Sequence, residues 1–433
     1  MVSYRVHRGC VLALCLVVSQ SVHCTTLAEL LLSARERDPA MAIAQAQVNV
    51  AKARSSDAAR SLLPTATITG TSSDNRNSQN KAAYQRFSTE QWALQVNQQI
   101  FHLATGFATR AADKLVAQAQ AQLAATESEL AGRVATAWFD VITSQENLKA
   151  IRGQKDATQQ QLAVAKRSFE LGAVSVADVR EVEAKHAVVL VQEAQALGEL
   201  GFKQQTLSQL TATPVDTIDV APWMQPRLSD KLGQLSDWLE QARQTSPTVV
   251  QARFEVEASE LEIGRAKSAL SPSIDLIANR NINDATGSNF SDAPTSSKSG
   301  QIGVQLTIPL TAGLTSRGKI NEAIALRDKT LGERDKTYDQ VMLNIKQAYL
   351  GMSSALAQIP ALELAQQANE VSVKASKRGY EVGMRANVDV LNALAQLFQT
   401  QKDLAKARAD AWLNYMRLRF LTGQWTEADL NAF

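Results

Sequence analysis

The chain carries the same ordered set of short sequence landmarks twice, and this duplication restricts its possible folds more than any other feature. Leu27 to Pro39 resembles Leu235 to Pro247, and the prolines that end these segments lie 208 residues apart. Four more landmark pairs follow in the same order at offsets of 208 to 211 residues: Leu63-Pro64 with Ser271-Pro272, Arg167 to Gly172 with Arg378 to Gly383, Asp178 with Asp389, and Leu210-Thr211 with Leu421-Thr422. A long unit that recurs in register indicates internal duplication.

The landmarks divide the chain into five parts. We predict a signal peptide over 1–24, a first repeat over 25–212, a connector over 213–234, a second repeat over 235–423 and a tail over 424–433. The connector contains Pro214, Pro222 and Pro226, which interrupt helical periodicity.

The first 24 residues have the composition of a secretory signal. Arg5 and Arg8 precede a short apolar run from Val11 to Val18, and cleavage is expected before Thr25. A short uncleaved anchor and a lipoprotein acylated at Cys24 are the alternatives. All three cysteines, Cys10, Cys15 and Cys24, lie in this part, so the predicted mature chain lacks disulfides, thiolate metal sites and a cysteine nucleophile.

Each repeat contains a pair of segments in which apolar and uncharged polar residues alternate. One face of the segment from Gln91 to Ile100 is apolar, and so is one face of the segment from Gln301 to Ile308. The residues predicted to face lipid are Trp92, Leu94, Val96, Ile302, Val304 and Leu306. This period fits a membrane-spanning β-strand, and it fits a half-buried strand of a soluble sheet equally well. Polar segments at 74–80 and 281–299 are predicted to be loops, and they favour the membrane interpretation.

Each predicted β-hairpin, at about 65–101 and 273–310, is followed by a long helical hairpin, at about 106–210 and 315–421. The first helix of each hairpin is about 65 residues long, or about 100 Å at 1.5 Å per residue. Pro360 should kink the second of these long helices. Val390, Leu397, Leu404, Ala411 and Leu418 lie seven residues apart on the last returning helix. This heptad spacing predicts packing against other long helices.

No catalytic motif is found in the sequence, and an enzyme is not expected. Lys plus Arg number 45 and Asp plus Glu number 43, and removal of Arg5 and Arg8 would leave a neutral chain, which is unsuited to binding nucleic acid. No cofactor is predicted. Beyond residue 24 the histidines are His102 and His186, too few for a histidine-rich metal site, and both are interpreted as ordinary residues without a partner.

Four strands are too few to close a barrel, since single-chain barrels have at least about eight. An open sheet edge in lipid would leave backbone N–H and C=O groups unpaired. If the strands span a membrane, several chains must therefore share one barrel.

This arrangement resembles the TolC family of outer-membrane efflux and secretion channels over essentially the whole mature chain. The residues that carry the resemblance are the Leu-Pro before the first hairpin, the strand ends Ile100-Phe101 and Ile308-Pro309-Leu310, and the turns at Gly172 and Gly383. The resemblance implies a mixed α + β membrane protein made mainly of long helices. A homotrimer would share a 12-stranded barrel in the outer membrane and extend a hollow helical tunnel into the periplasm.

The resemblance also implies roles for residues near the two turns. Tyr380 and Arg385 would hold the periplasmic end of the tunnel closed by bonding to Asp178 and to the backbone of Ala177. Asp389 would line the constriction as part of an acidic ring, whose second family position is Asn392 here. For Asp178 and Asp389 the sequence alone favours a simpler role, as carboxylates that stabilise a helix N-terminus.

The function implied is the exit duct of a tripartite export system. We favour type I secretion of a protein substrate, with an inner-membrane ABC transporter and a periplasmic adaptor. A duct for drug or small-molecule efflux is the alternative, and a soluble periplasmic coiled-coil scaffold is a more distant one.

Overall fold

A computed structural model describes residues 26–77, 85–215, 218, 228–288, 293–310 and 312–426. The predicted signal peptide therefore lies outside the described residues, as do most of the connector and the end of the tail.

The first repeat begins with two helices, α1 (Leu27–Arg37) and α2 (Pro39–Arg60). Strands β1 (Thr65–Asn77) and β2 (Gln85–Phe101) follow. The repeat ends with α3 (Leu103–Glu170, 68 residues) and α4 (Val176–Thr211, 36 residues).

The second repeat has the same order of elements. After a short 3-10 helix (Leu228–Lys231) come α5 (Leu235–Thr245) and α6 (Pro247–Ser268). Strands β3 (Ser273–Ala285) and β4 (Thr295–Thr307) lead to α7 (Ala312–Glu381, 70 residues) and α8 (Asn387–Thr422, 36 residues). Helix α7 continues through Pro360.

The four strands form one antiparallel sheet in the order β1-β2-β3-β4. The β2–β3 pairing joins the two repeats, with Trp92 opposite Ile282, and leaves β1 and β4 at the two ends of the sheet. The prediction that 74–80 and 281–299 are loops is wrong in part. The backbone of β1 remains paired with β2 at Asp74↔Ser88 and beyond, and β3 remains paired with β4 as far as Ala285↔Thr295. A strand is defined by its ladder of backbone hydrogen bonds, so residues with polar side chains can continue it.

The helices pack side by side. In the part that ends at the two turns, α3 and α8 lie in the middle, with α4 outside α3 and α7 outside α8, whereas next to the sheet α6 packs on both α3 and α7, and α2 packs on α3. The main apolar core lies about midway along α3 and α7 and includes the C-terminal third of α8, and α1 and α5 also pack there. Trp138 and Phe139 of α3 are fully buried there, in an edge-to-face contact. This core holds the two repeats together, and the hairpin ends extend away from it.

In the part of the chain that the structure describes, no helix combines the length and the apolar character needed to cross a membrane.

Candidate functional site

The two helical hairpins reverse direction at glycine turns. Gly172 has φ +72° and Gly383 has φ +74°, in the left-handed region that favours glycine. In each turn a 6→1 backbone bond ends the helix: Ala173 N donates to Ser168 O at 2.8 Å, and Met384 N donates to Gly379 O at 2.8 Å. Both turn glycines that we predicted therefore stand where the backbone conformation requires them.

Asp178 and Asp389 occupy equivalent positions in the first turns of α4 and α8. Asp178 Oδ2 accepts hydrogen bonds from Ser175 Oγ at 2.8 Å and from Ser175 N at 2.9 Å. These bonds, the side-chain bond first, lower the pKa of the Asp178 carboxyl. Asp389 Oδ2 accepts from Ala386 N at 3.2 Å. Each carboxylate thus stabilises the N-terminus of its own helix, the role that sequence alone favoured.

A groove of about 700 Å³ lies between the two hairpin ends. It is lined by Asp178 from the first repeat and by Tyr380 and Arg385 from the second. The structure therefore brings three of the four predicted gate residues to one place. The fourth, Ala177, lies next to Asp178 in the first turn of α4 and is exposed.

The predicted gate bonds themselves are not formed within the single chain. Arg385 Nη1 donates to Ser376 Oγ at 2.7 Å. Among the residues described, no hydrogen bond or ion pair joins Tyr380 or Arg385 to Asp178 or Ala177. The Arg385 guanidinium, the Tyr380 phenol and the Asp178 carboxylate do line one groove. Because the bonds between the two hairpins are not formed, closure of the gate by these residues stays a prediction.

The acidic-ring positions lie at the start of α8. Asp389 and Asn392 are both exposed and stand three residues apart, so they share one face of the helix. In each copy of the chain, this exposed face therefore carries one carboxylate and one neutral amide.

Two buried amides in the groove were missed by sequence reasoning. Gln161 and Asn387 line the groove and are 9% and 7% exposed. Within the described part of the chain, Gln161 Oε1 and both amide atoms of Asn387 have no hydrogen-bond partner. Comparison of the repeats could have revealed Asn387, because Val176 occupies its place in the first half.

The predicted lipid-facing residues share one face of the sheet. Five of them are exposed in the single chain, and Val96 is half-buried. Arg280 pairs with Leu94 on β2 and with Gly300 on β4, so it lies on this same face. The alternation of residues in the sequence did not indicate this position for Arg280. The Arg280 side chain lies across Gly300, where a Cβ would be 3.6 Å from Arg280 Cδ.

The prediction that neither histidine has a partner is wrong. His102 is the N-cap of α3, where Thr105 N donates to His102 Nδ1 at 3.3 Å. His186 Nδ1 lies 3.1 Å from Thr158 Oγ1, a contact between α4 and α3. Both histidines therefore have structural roles in the long helices.

Comparison with known proteins agrees with this architecture. A model of the outer membrane efflux protein family matches residues 30–213 and 238–424. The outer membrane protein TolC of Vibrio cholerae is 26% identical over 95% of this chain and 94% of its own length. The alkaline protease secretion protein AprF of Pseudomonas aeruginosa is also 26% identical, over 70% of this chain and 63% of its own.

Solved structures show the same fold. The outer-membrane channel OprN superposes with a TM-score of 0.79 at 16% identity, covering 92% of this chain and 90% of OprN. The outer membrane protein VceC from Vibrio cholerae gives a TM-score of 0.77 at 17% identity, covering 92% and 96%. The predicted fold class is confirmed. Because the family match extends through both repeats, this chain belongs to the outer membrane efflux protein family and is an outer-membrane protein with a long periplasmic helical extension.

Proposed function

We propose that three copies of this chain form an outer-membrane channel that is the exit duct of a tripartite export system. The observation that carries the proposal is a four-stranded sheet with β1 and β4 at its ends, attached to helical hairpins that extend far beyond it. In lipid, the unpaired backbone groups of β1 and β4 need partners. A β4 strand paired with the β1 strand of the next copy supplies them, and three copies give 12 strands.

The outer helices support the same assembly. Leu343, Leu350, Leu364 and Val371 lie on α7 at multiples of seven residues, and each is about half or more exposed in the single chain. On α4, at the opposite flank, Val188, Val191 and Phe202 are exposed as well. A heptad stripe of this kind is buried when another long helix packs on it. The α4 flank of one copy and the α7 flank of the next are positioned to cover each other around a hollow tunnel.

Outer-membrane lipid covers the exposed apolar face of the sheet in this proposal. Trp92, Ile302 and Val304 are 57%, 80% and 67% exposed in the single chain, far more than a strand packed on a soluble core would leave. The proposal therefore assigns this face to lipid and the uncharged polar face, with Gln95 and Gln305, to the lumen.

The groove at the hairpin ends is the proposed periplasmic gate. Tyr380 and Arg385 close it by bonding to Asp178 and to the backbone of Ala177, and Asp389 lines the constriction. The shared groove supports this assignment, because opposite charges from the two repeats lie along one surface. An acidic ring at a narrow point favours the entry of cations over anions.

We infer that the exported substrate is a protein, delivered by an inner-membrane ABC transporter through a periplasmic adaptor. The relatives AprF and PrtF support this inference, because both are named for the secretion of proteases. Efflux of small molecules is the second candidate, supported by the relatives BepC and TtgC, which are named as efflux proteins. Membership of an outer membrane family argues against the soluble scaffold.

A complementation experiment tests the substrate class. The full chain is expressed in a host that lacks its own outer-membrane duct and carries either an ABC exporter with its adaptor and protease substrate, or a proton-driven drug pump with its adaptor. We expect secreted protease activity in the first host and unchanged drug sensitivity in the second. Restored drug resistance without protease secretion would favour the efflux alternative.

The assembly and the gate are tested on the purified protein. Chemical cross-linking in detergent should give a trimer, and migration as a monomer under every condition would contradict the shared barrel. In planar bilayers, Tyr380→Phe combined with Arg385→Ser should conduct more than the parent channel. Parent-like conductance of this double variant would place the gate elsewhere.

A further inference from the structure

We propose that Ser376 and Gly379 form a seat that positions the Arg385 side chain in the groove, so that its guanidinium is oriented for the gate bond before that bond forms. This inference rests on the gate proposed above. It assigns a role to two residues of α7 that carry no charge and do not themselves bond across the hairpins.

The seat is built from one hydrogen bond and one close packing contact. Ser376 is 0% exposed, and its Oγ accepts from Arg385 Nη1 at 2.7 Å. At Gly379 the Arg385 stem lies directly on the helix: a Cβ there would be 3.0 Å from Arg385 Cγ and 3.1 Å from Cδ. Arg385 N also donates to Gly379 O at 3.2 Å, which fixes the backbone beneath the side chain.

The first repeat shows that the hairpin fold does not require this seat. The offset of 211 residues aligns Ser376, Gly379 and Arg385 with Ala165, Ser168 and Val174. Ala165 is 1% exposed and packs in the apolar cluster of its hairpin end. A buried hydroxyl, a glycine and an arginine therefore occur together in the second repeat, where the gate arginine is needed, and none of them occurs at the aligned positions of the first.

The seat leaves most of the guanidinium available. Arginine has five N–H donors in a rigid fork, and the bond to Ser376 uses one of them. The remaining donors can reach a carboxylate while the stem stays on Gly379. A side chain already held in the groove loses less conformational entropy when it bonds to Asp178, so the closed gate is favoured.

The test is a double-substitution cycle on conductance in planar bilayers, with purified full-length protein. Ser376→Ala and Gly379→Ala are each made in the parent and in an Arg385→Ser background. In the parent, each should raise the open-to-closed ratio by about tenfold, a change of about 1.4 kcal/mol. In the Arg385→Ser background, both should have no further effect, because the residue that they position is gone. Ser168→Ala is the matched control, since it removes a groove hydroxyl from the first repeat and should conduct like the parent.

The outcomes separate the two proposals. If Arg385→Ser conducts like the parent, the gate itself is wrong. If Arg385→Ser conducts more but Ser376→Ala and Gly379→Ala do not, the gate stands and the seat is refuted. A conductance rise that persists undiminished in the Arg385→Ser background would show general loosening of the helix and would also refute the seat. Ser376→Ala reproduces the alanine of the first repeat, so we expect it to assemble, and cross-linking checks that it does.

Discussion

Asp38 joins the first repeat's short helices to the long helix α3, and its replacement by alanine should destabilise the protein measurably. Its side chain is 7% exposed and uses both oxygens. Oδ1 accepts from Ala40 N at 2.7 Å and so caps α2, while Oδ2 accepts from Arg133 Nη2 of α3 at 2.7 Å.

The expected loss is about 1.5–3 kcal/mol, the sum of two contributions. Loss of an N-cap to alanine costs about 0.5–2 kcal/mol. The Arg133 side chain is 41% exposed, so solvent screens the ion pair and its loss adds about 1 kcal/mol. Asp38→Asn should lose only the second contribution, because asparagine is also a good N-cap.

The duplication provides a matched control. Ser246 precedes α6 as Asp38 precedes α2, and it makes no side-chain capping bond. Ser246→Ala should therefore cost less than about 1 kcal/mol. Denaturant unfolding of the protein in detergent micelles, followed by far-UV circular dichroism, would compare the variants. If the unfolding midpoints of Asp38→Ala and Ser246→Ala were equal, the conclusion that the two side-chain bonds of Asp38 stabilise the protein would be refuted.

Three further predictions concern the strands, the constriction and the hairpin end. Leu94→Asp should reduce the yield of assembled trimer, because a charge facing lipid costs up to about 2 kcal/mol near the bilayer centre, whereas Gln95→Asp on the lumen face should assemble normally. Asp389→Asn should reduce cation preference in reversal-potential measurements without preventing assembly, and an unchanged preference would remove Asp389 from the constriction. Ser175→Ala should raise the lowered pKa of Asp178 towards its ordinary value. A carboxyl whose pKa is lower in the folded state than in the unfolded state stabilises the folded state at pH values above the unfolded-state pKa. This stabilisation is lost as the pH falls through the folded-state pKa. The variant has less of it to lose, so its stability should fall less on acidification below about pH 4. An acid-unfolding profile identical to the parent's would contradict this.

The sequence by itself indicated the duplication, the long helices and the strand pairs. These features are local or periodic. Alternation of period two reports a strand with one apolar face, and an uninterrupted helical pattern of about 65 residues needs no tertiary information to be recognised. The turn glycines could be predicted for the same reason, since the positive φ at Gly172 and Gly383 is a local backbone requirement.

Strand ends were predicted less well than strand centres. The polar residues from Asp74 onward look like a loop in the sequence, yet they pair with the neighbouring strand. Arg280 on the apolar face was missed for a related reason: its face follows from cross-strand register, which depends on a partner strand far away in the chain.

The groove between the hairpin ends was decided by tertiary structure alone. Family resemblance pointed to Tyr380, Arg385 and Asp178, but only the packing of α8 beside α3 brings the two repeats' ends together. The Ser376–Arg385 bond spans nine residues and a helix reversal, so neither helical periodicity nor a spacing motif marks it. Local periodicity in the sequence determines what each segment becomes. Contacts between segments depend on how the long helices align, and residues far apart in the chain bury one another to make that alignment, both in the core around Trp138 and in the cluster of Ala165, Val179 and Leu391 at the hairpin ends.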